Sequence, residues 1–473
     1  MLTAEGTRPS LRAAAENEPA SSTARKIAKE SLVKAIVSKP DDDHLLLLEI
    51  MNTNARTGQS PPMEKSVHRP TAWHVTHWST DPFSLGAYSA LLPGGTPQHR
   101  SDLGQVLHER LVIAGEACDA SAPAMTHGAW NDGLRAAEAA LSAGARRVIV
   151  IGAGCAGLAA AQRLRAQGVD CTVLEARGRT GGRTHSVDLG GIKADEGAAW
   201  LQHFAENPLA TVAQQHGLAC VETDFSRPLA AARGGVLPDV DGAWAALTKS
   251  IDRRQPLSEA INRYLATLDP ARRRATQFAI DANLVLEACL PVEQLSLSAL
   301  DEEGVGHGDS MLPGGYSELV DLLAKDLDIH LNTPVTHIDW SSARVKVNEE
   351  VCDFCICTVP VGALKMLHFT PALPETQQQA LVHLGMGKLE KVILQFDERW
   401  WPCSPSGYLR WYDVPASWGE WLDLTDAVGK PTIAGLIAAD AIERQFSGRT
   451  DEQIAMAATG ALQAWAAAIG PTP

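Results

Sequence analysis

Residues 146–177, RRVIVIGAGCAGLAAAQRLRAQGVDCTVLEAR, read as a strand, a glycine turn, a helix and a second strand. The apolar run Val148–Ile151 leads straight into Gly152, Gly154 and Gly157, and a helix is expected over Leu158–Ala166. A GxGxxG alone is a weak signal, but between a strand and a helix it predicts a dinucleotide site. Gly152 permits the tight turn, Gly154 lets backbone approach a pyrophosphate, and Gly157 lets helix and strand pack closely. The helix N-terminus presents the positive end of its dipole to that anion. Glu175 closes the second strand 18 residues after Gly157, where a carboxylate accepts bonds from ribose hydroxyls and repels a 2′-phosphate.

Outward from this unit the chain is long enough, at 473 residues, for about two or three cores. In HGAWNDGLRAAEAAL (127–141), Trp130, Leu134, Ala137 and Leu141 recur at helical spacing and predict one buried face, with Gly144 as the stop. Residues 205–305 read as mostly helical, 309–364 as mostly strands, and 373–473 as mixed, with KVILQF a clear strand. Residues 1–22 read as a flexible arm, 24–37 as an amphipathic helix ended by Pro40, and 52–70 as a linker. The apolar residues of 24–51 need burial, which predicts packing on a second subunit, giving a homodimer, or on the rest of the chain itself.

Composition bounds the partners. A net charge of −15 argues against nucleic acid, whose phosphates demand surplus Lys and Arg. No apolar run approaches the ~20 residues of a membrane span, and residues 1–22 lack the apolar core of a signal peptide. The nine scattered cysteines fit a reducing, cytoplasmic setting. Cys352, Cys355 and Cys357 lie in the apolar run VCDFCICTVP with no second ligand pair at zinc spacing, so buried strand cysteines are expected and no metal.

The continuation Glu175-Ala-Arg177-Gly-Arg-Thr-Gly181-Gly182-Arg183 resembles the E-A-R-x-R-x-G-G-R signature of the flavin monoamine oxidase family. An NAD domain would pass directly into its next crossover; here a second glycine turn brings two arginines, suited to forked phosphate contacts. The resemblance implies that Arg177 and Arg183 serve the diphosphate of FAD beside the Gly181–Gly182 turn, and that Gly197, Ala198, Ala199 and Trp200 run along the flavin. PGGYSELVDLLAKDLDIHLNTPVTHIDW (313–340) resembles the family's glycine–tyrosine turn, helix and strand, with Val335 expected at the adenine. TVPVGALK (358–365) resembles the strand that returns to the substrate domain.

The family's closing segments should follow these, yet their counterparts stand in front of the glycine motif. HWSTDPFSLGAYS (77–89) resembles W-x-x-D-P-F-x-x-G-x-Y-S, and AGEACDASAPAMTHGAWNDGLRAA (114–137) resembles the closing A-G-E…H-G-A…G-L-R-x-A. The resemblance thus implies a circularly permuted order joined at 142–146. The fold class expected is α/β: a Rossmann-like FAD-binding domain with a mixed α+β substrate domain, the amine oxidase architecture in permuted order. The expected segments are an arm and linker (1–69), substrate domain (70–100), FAD-binding domain (101–204), helical substrate domain (205–305), FAD-binding domain (306–364) and substrate domain (365–473).

By the same resemblance, Gly115 and Glu116 lie at the ribityl chain, the amide of Thr126 faces the flavin pyrimidine oxygens, and Phe83 lies against the ring system. Lys391 matches the lysine that holds a water beside flavin N5, with Lys388 the competing candidate. Tyr88 matches one wall of an aromatic cage for the amine nitrogen. The opposite wall aligns with Ala122, leaving Trp200 or Trp130 as substitutes. Ala87 stands where members with covalently attached flavin carry cysteine, so non-covalent FAD is expected. The run EGAAWLQHF (196–204) lacks the arginine that pairs with an amino-acid carboxylate, which favours an amine. The activity implied is oxidation of an amine to an imine, then aldehyde or ketone, with O2 reduced to H2O2. The alternatives are an amino-acid oxidase or monooxygenase, or a flavin-holding interaction protein without chemistry.

Overall fold

Strand Arg147–Ile151 lies at the middle of a five-stranded sheet whose strands all run parallel. The sheet order is Asp328–His330, Asp170–Leu174, Arg147–Ile151, Phe354–Cys357 and Leu111–Ile113. Register pairs Val150 with Val173 on one side and with Ile356 on the other. Both faces are covered, which is why the central strands read as continuous rather than alternating apolar runs. Val148 and Val150 pack with one core cluster, under the helices; Ile149 and Ile151 pack with the other, beside a small sheet carrying Ile338, Val345 and Val347. Cys352, Cys355 and Cys357 belong to that second cluster, where burial pushes each thiol above its ordinary range. The computed structural model describes residues 68–470 apart from 225–227, 253, 302–307 and 405. The expected arm and its helix lie outside the described residues.

The helix after the glycine turn spans Cys155–Ala166, three residues earlier than its apolar pattern suggests. Gly157 therefore sits inside the first turn. A Cβ there would stand 1.9 Å from the carbonyl oxygen of Gly152, so only glycine lets the helix close on the strand end. The preceding helix spans Thr126–Ser142 and packs on Cys155–Ala166. Its buried stripe is rotated from the expected one: Gly133, Ala136, Ala137 and Ala140 are buried with Trp130, whereas Leu134 and Leu141 are only half-buried. The reason is closeness of approach, because a Cβ at Gly133 would lie 2.1 Å from the carbonyl oxygen of Ala156. Only Ala143–Arg146 separates this helix from strand Arg147–Ile151.

A second, six-stranded sheet takes the order Ala72–Val75, Leu389–Gln395, Thr432–Ala438, Glu420–Asp423, Tyr408–Tyr412 and Leu229–Ala232. All of its pairings are antiparallel except the last. Along Leu389–Gln395 the side chains alternate. Val392 and Leu394 join Trp421, Leu462 and Trp465 under helix Asp451–Ile469, while Ile393 faces Leu422, Leu436 and Met311 on the other side. Lys391 shares the side of Ile393. Residues 208–288 supply helices, as expected, but also strands Val221–Thr223 and Leu229–Ala232. One of the helices, Pro270–Ile280, passes into a π-helical turn at Asp281–Val285. Among the described residues no helix is long and apolar enough to cross a membrane.

Candidate active site

A cavity of about 580 Å³ runs between the two sheets, within the range of small-molecule sites. Every residue expected at the site lines it except Gly157, which acts one layer behind through the packing just described. At one end, Glu175 is buried, and its two carboxylate oxygens accept the amides of Ala153 (2.7 Å) and Arg177 (2.8 Å). The carboxylate thereby ties the glycine turn to the second strand. Thr333–Thr336, including Val335, form the adjoining wall.

The middle of the cavity is backbone and arginine. Gly152 has φ +100°, a conformation that favours glycine. A Cβ on Gly154 would meet only the oxygen of Gly181 at 3.9 Å, and one on Gly115 would meet nothing within 4 Å, so both glycines leave backbone bare to the cavity. Buried Asp132 holds the Gly115 turn by accepting its amide at 2.8 Å. Arg183 donates to Glu116 (2.8 Å) and to the carbonyl of Ala87 (3.1 Å). Burial would raise the Glu116 carboxyl, but Arg183, the Ser89 hydroxyl and Arg100 together hold it below the usual range. Arg177 pairs with Asp81 at 2.5 Å and lies 5.2 Å from the Phe83 ring, so Phe83 is placed beside this guanidinium. Thr126 is the first residue of its helix, and its hydroxyl accepts the Tyr316 phenol at 2.8 Å.

Two helices of more than eight residues, Cys155–Ala166 and Thr126–Ser142, thus open onto one elongated cavity carrying two arginines. Unpaired helix N-terminal amides with arginine charge suit an anionic group in the middle. Bare glycine backbone suits close approach by a long, thin molecule. The residues present fit a dinucleotide.

At the far end, Lys391 is buried and its ammonium donates to the carbonyls of Asp195 (3.1 Å) and Gly197, 5.4 Å from the Trp200 ring. Burial lowers its pKa to about 8, against the pull of Asp195 and Glu196. Lys388 is exposed and does not line the cavity, whereas Lys391 does. Tyr88 lines the cavity, and its hydroxyl donates to the carbonyl of Glu287 at 2.7 Å and meets Cys289 Sγ at 2.7 Å. Burial pushes that phenol well above its ordinary range, so Tyr88 presents a neutral ring. Ala122 does not line the cavity; Pro123 and Ala124 do, and the Ala122 carbonyl lies against Gly128. Of the two proposed aromatic substitutes, Trp200 lines the cavity while Trp130 is a core residue of the helical layer. His127 and His203 contact each other at 5.7 Å and do not line the cavity.

Several lining residues carried no sequence signal, among them Glu196, Gln202, Asn283, Glu287 and Glu420. They come from two bends, a π-helical turn, the short helix Leu286–Ala288 after it and a strand start, none of which a motif marks. Glu420 pairs with buried Arg410 at 3.0 Å and accepts the Tyr408 hydroxyl. Behind it, burial raises the Asp281 carboxyl to about 6 in spite of Arg410.

The family model for flavin-containing amine oxidoreductases matches residues 37–141, 155–288 and 282–473. The chain is 31% identical over 334 residues to lysine-specific histone demethylase 1 homolog 1 of Arabidopsis thaliana, covering 63% of the chain and 40% of that protein. It is 30% identical over 361 residues to probable polyamine oxidase 4 of the same plant, covering 65% of the chain and 69% of that protein. Among solved structures it resembles cyclohexylamine oxidase from Brevibacterium oxydans IH-35A (TM-score 0.54, 20% identity). It also resembles a triple mutant of putrescine oxidase (TM-score 0.53, 21% identity). Each structural match covers 69% of this chain and 83% of the other, and at these identities the likeness speaks for the fold alone.

Proposed function

Because the chain belongs to the flavin-containing amine oxidoreductase family, we propose that it is an FAD-dependent amine oxidase. When bound, FAD supplies the hydride acceptor for the amine's α-carbon and passes the electrons to O2, giving an imine and H2O2. Glu175 would hold ribose hydroxyls, Gly152 and Gly154 with the start of helix Cys155–Ala166 would hold the pyrophosphate, and Arg177, Gly182 and Arg183 would flank it. Val335 would border the adenine, Phe83 would lie beside Arg177, and Gly115 and Glu116 would line the ribityl stretch. The Thr126 amide, Ala198 and Trp200 would border the ring system. Ala87 offers no thiol for attachment, so FAD is held non-covalently and should be released intact on denaturation.

The observation that carries the reading is Lys391. A buried ammonium whose pKa burial lowers to about 8, fixed on two carbonyls at the cavity wall, would hold a water there and move a proton at working pH. Tyr88 and Trp200 present ring faces to the amine nitrogen. Glu287 brings a carboxylate-bearing residue to the far end of the cavity, beside Glu420 with its Arg410 partner, and a substrate with a second ammonium is the one we favour there. The polyamine oxidase among the relatives supports that choice.

The permuted order is part of the proposal. Its support is that strand Leu111–Ile113 and helix Thr126–Ser142 precede strand Arg147–Ile151 with a four-residue connection, and that the family model matches a first stretch in front of the glycine motif. The segments then alternate between FAD-binding and substrate domains as the sequence reading divides them. All nine cysteines are unpaired in the described residues, which supports a reducing, cytoplasmic setting. A homodimer through the arm is tested by deleting residues 1–69 and reading the oligomeric state.

The test of function is anaerobic bleaching of the yellow protein by putrescine, spermidine, spermine, cyclohexylamine, benzylamine and L-amino acids, with peroxide release in air. Fastest bleaching by a diamine or polyamine is expected; a flavin none of these reduces overturns the oxidase. Lys391→Met should keep FAD and slow turnover by roughly tenfold or more, and normal turnover would remove Lys391 from the mechanism.

A further inference from the structure

Glu196 lines the cavity and joins three side chains that stand behind its wall. Its carboxylate accepts His74 Nε2 at 3.0 Å and His185 Nδ1 at 2.7 Å, and Arg179 Nη2 lies 3.5 Å away. The backbone on either side is held as firmly. The Glu196 carbonyl accepts the Trp78 indole at 2.9 Å, its amide donates to His185 at 3.0 Å, and the flanking carbonyls of Asp195 and Gly197 receive the Lys391 ammonium. Arg179 also donates to the carbonyl of Gly182 at 2.8 Å, which extends the network to the second glycine turn. His74 lies on the strand paired with Leu389–Gln395, opposite Ile393.

We propose that Glu196 is a positioning residue for Lys391: its carboxylate, clamped by His74, His185 and Arg179, fixes the peptide on which the lysine ammonium rests and ties it to the cofactor turn. The proposal rests on the reading of Lys391 given above.

A peptide run held by side chains from three other segments cannot slide along the cavity, so the lysine keeps one landing place rather than several. The same carboxylate sets the lysine's charge. Burial would raise Glu196, but hydrogen bonds from His185 and His74 lower it to about 2, so it is an anion across the working range. The charged and titratable groups around it are His74, Arg179, His185 and Lys391, with Asp195 acting on the same lysine and Arg179 facing Arg177, Glu175 and Asp81 in turn. An anion beside a buried amine favours its protonated form. Removing that anion lets burial depress Lys391 further.

The experiment is a cycle of Glu196→Gln, Lys391→Met and the double variant, made in the holoenzyme with the amine that bleaches it fastest. Limiting rate and KM are read together with the Lys391 titration, followed by NMR of 13Cε-lysine-labelled protein and assigned by its loss in Lys391→Met. Glu196→Gln should slow the limiting rate by roughly ten- to a hundredfold while leaving KM within about twofold. It should lower the Lys391 midpoint by roughly one unit and add nothing in the Lys391→Met background. An unmoved midpoint, or rate losses that multiply in the double variant, overturns the proposal. If Glu196→Gln does not fold, His74→Gln removes one clamp while keeping the anion, and is held to the rate loss and the non-additivity with Lys391→Met. A slow Lys391→Met beside a normal Glu196→Gln sinks this inference alone, whereas a normal Lys391→Met sinks the lysine assignment beneath it.

Discussion

Lys391 shows how a single buried side chain couples function to stability. Its ordinary pKa is 10.5 and its folded value about 8, with burial as the first cause. Below pH 8 both folded and unfolded chains carry the proton, and the burial penalty stands in full. Between pH 8 and 10.5 the unfolded chain binds the proton and the folded chain does not, so stability rises with pH across that window. The whole effect is on the order of 3 kcal/mol. Wild type should therefore gain a few degrees in Tm relative to Lys391→Met between pH 8 and 10.5, and parallel melting curves would show that the lysine titrates normally. At this scale the sequence was uneven. Lys391 and Tyr88 stood in recognisable strings, whereas Glu196 between Asp195 and Gly197 looked like any solvated carboxylate. Its partners His74, Arg179 and His185 come from separate stretches, and only the folded chain brings them together.

At the scale of elements, helices Thr126–Ser142 and Cys155–Ala166 act as a pair, because each directs its N-terminus at the cavity and Gly133 sets their separation. Gly133→Ala puts a Cβ 2.1 Å from the Ala156 carbonyl oxygen, and the helices must part. A loss of about 1–3 kcal/mol is expected, together with weaker FAD retention on gel filtration, since both N-termini move. Full retention and an unchanged Tm would show that the spacing has slack. The strand–glycine–helix unit was legible because its periodicity and its glycines agree. The buried face of Thr126–Ser142 was misread because sequence patterns weight large apolar side chains, while this interface packs through Gly and Ala. The π-helical turn at Asp281–Val285, which brings Asn283 to the cavity, leaves no periodic trace at all.

In the whole molecule the cavity lies between two sheets, each assembled from distant stretches of chain. The proposed permutation predicts that the order of those stretches can be changed again. A chain reopened at Gly144 and closed by a flexible Gly/Ser linker from Gly470 to Pro70 should fold, bind FAD and melt within several degrees of the parent, because loop closure adds little for a long flexible linker. Loss of both folding and FAD binding would speak against a seam at 142–146. The alternation of the six-stranded sheet was readable at KVILQF, but its neighbours Ala72–Val75 and Thr432–Ala438 were not, since register is fixed by tertiary pairing. That pairing also sets a timetable for synthesis. Thr71 bonds to Gln395, 324 positions away. At about 5–20 residues per second, strand Ala72–Val75 leaves the ribosome roughly 15–65 s before its partner exists. For that interval its amides and carbonyls have no ladder to join, so the nascent chain carries an open strand edge that a chaperone must cover or that a neighbouring chain on the same message can capture.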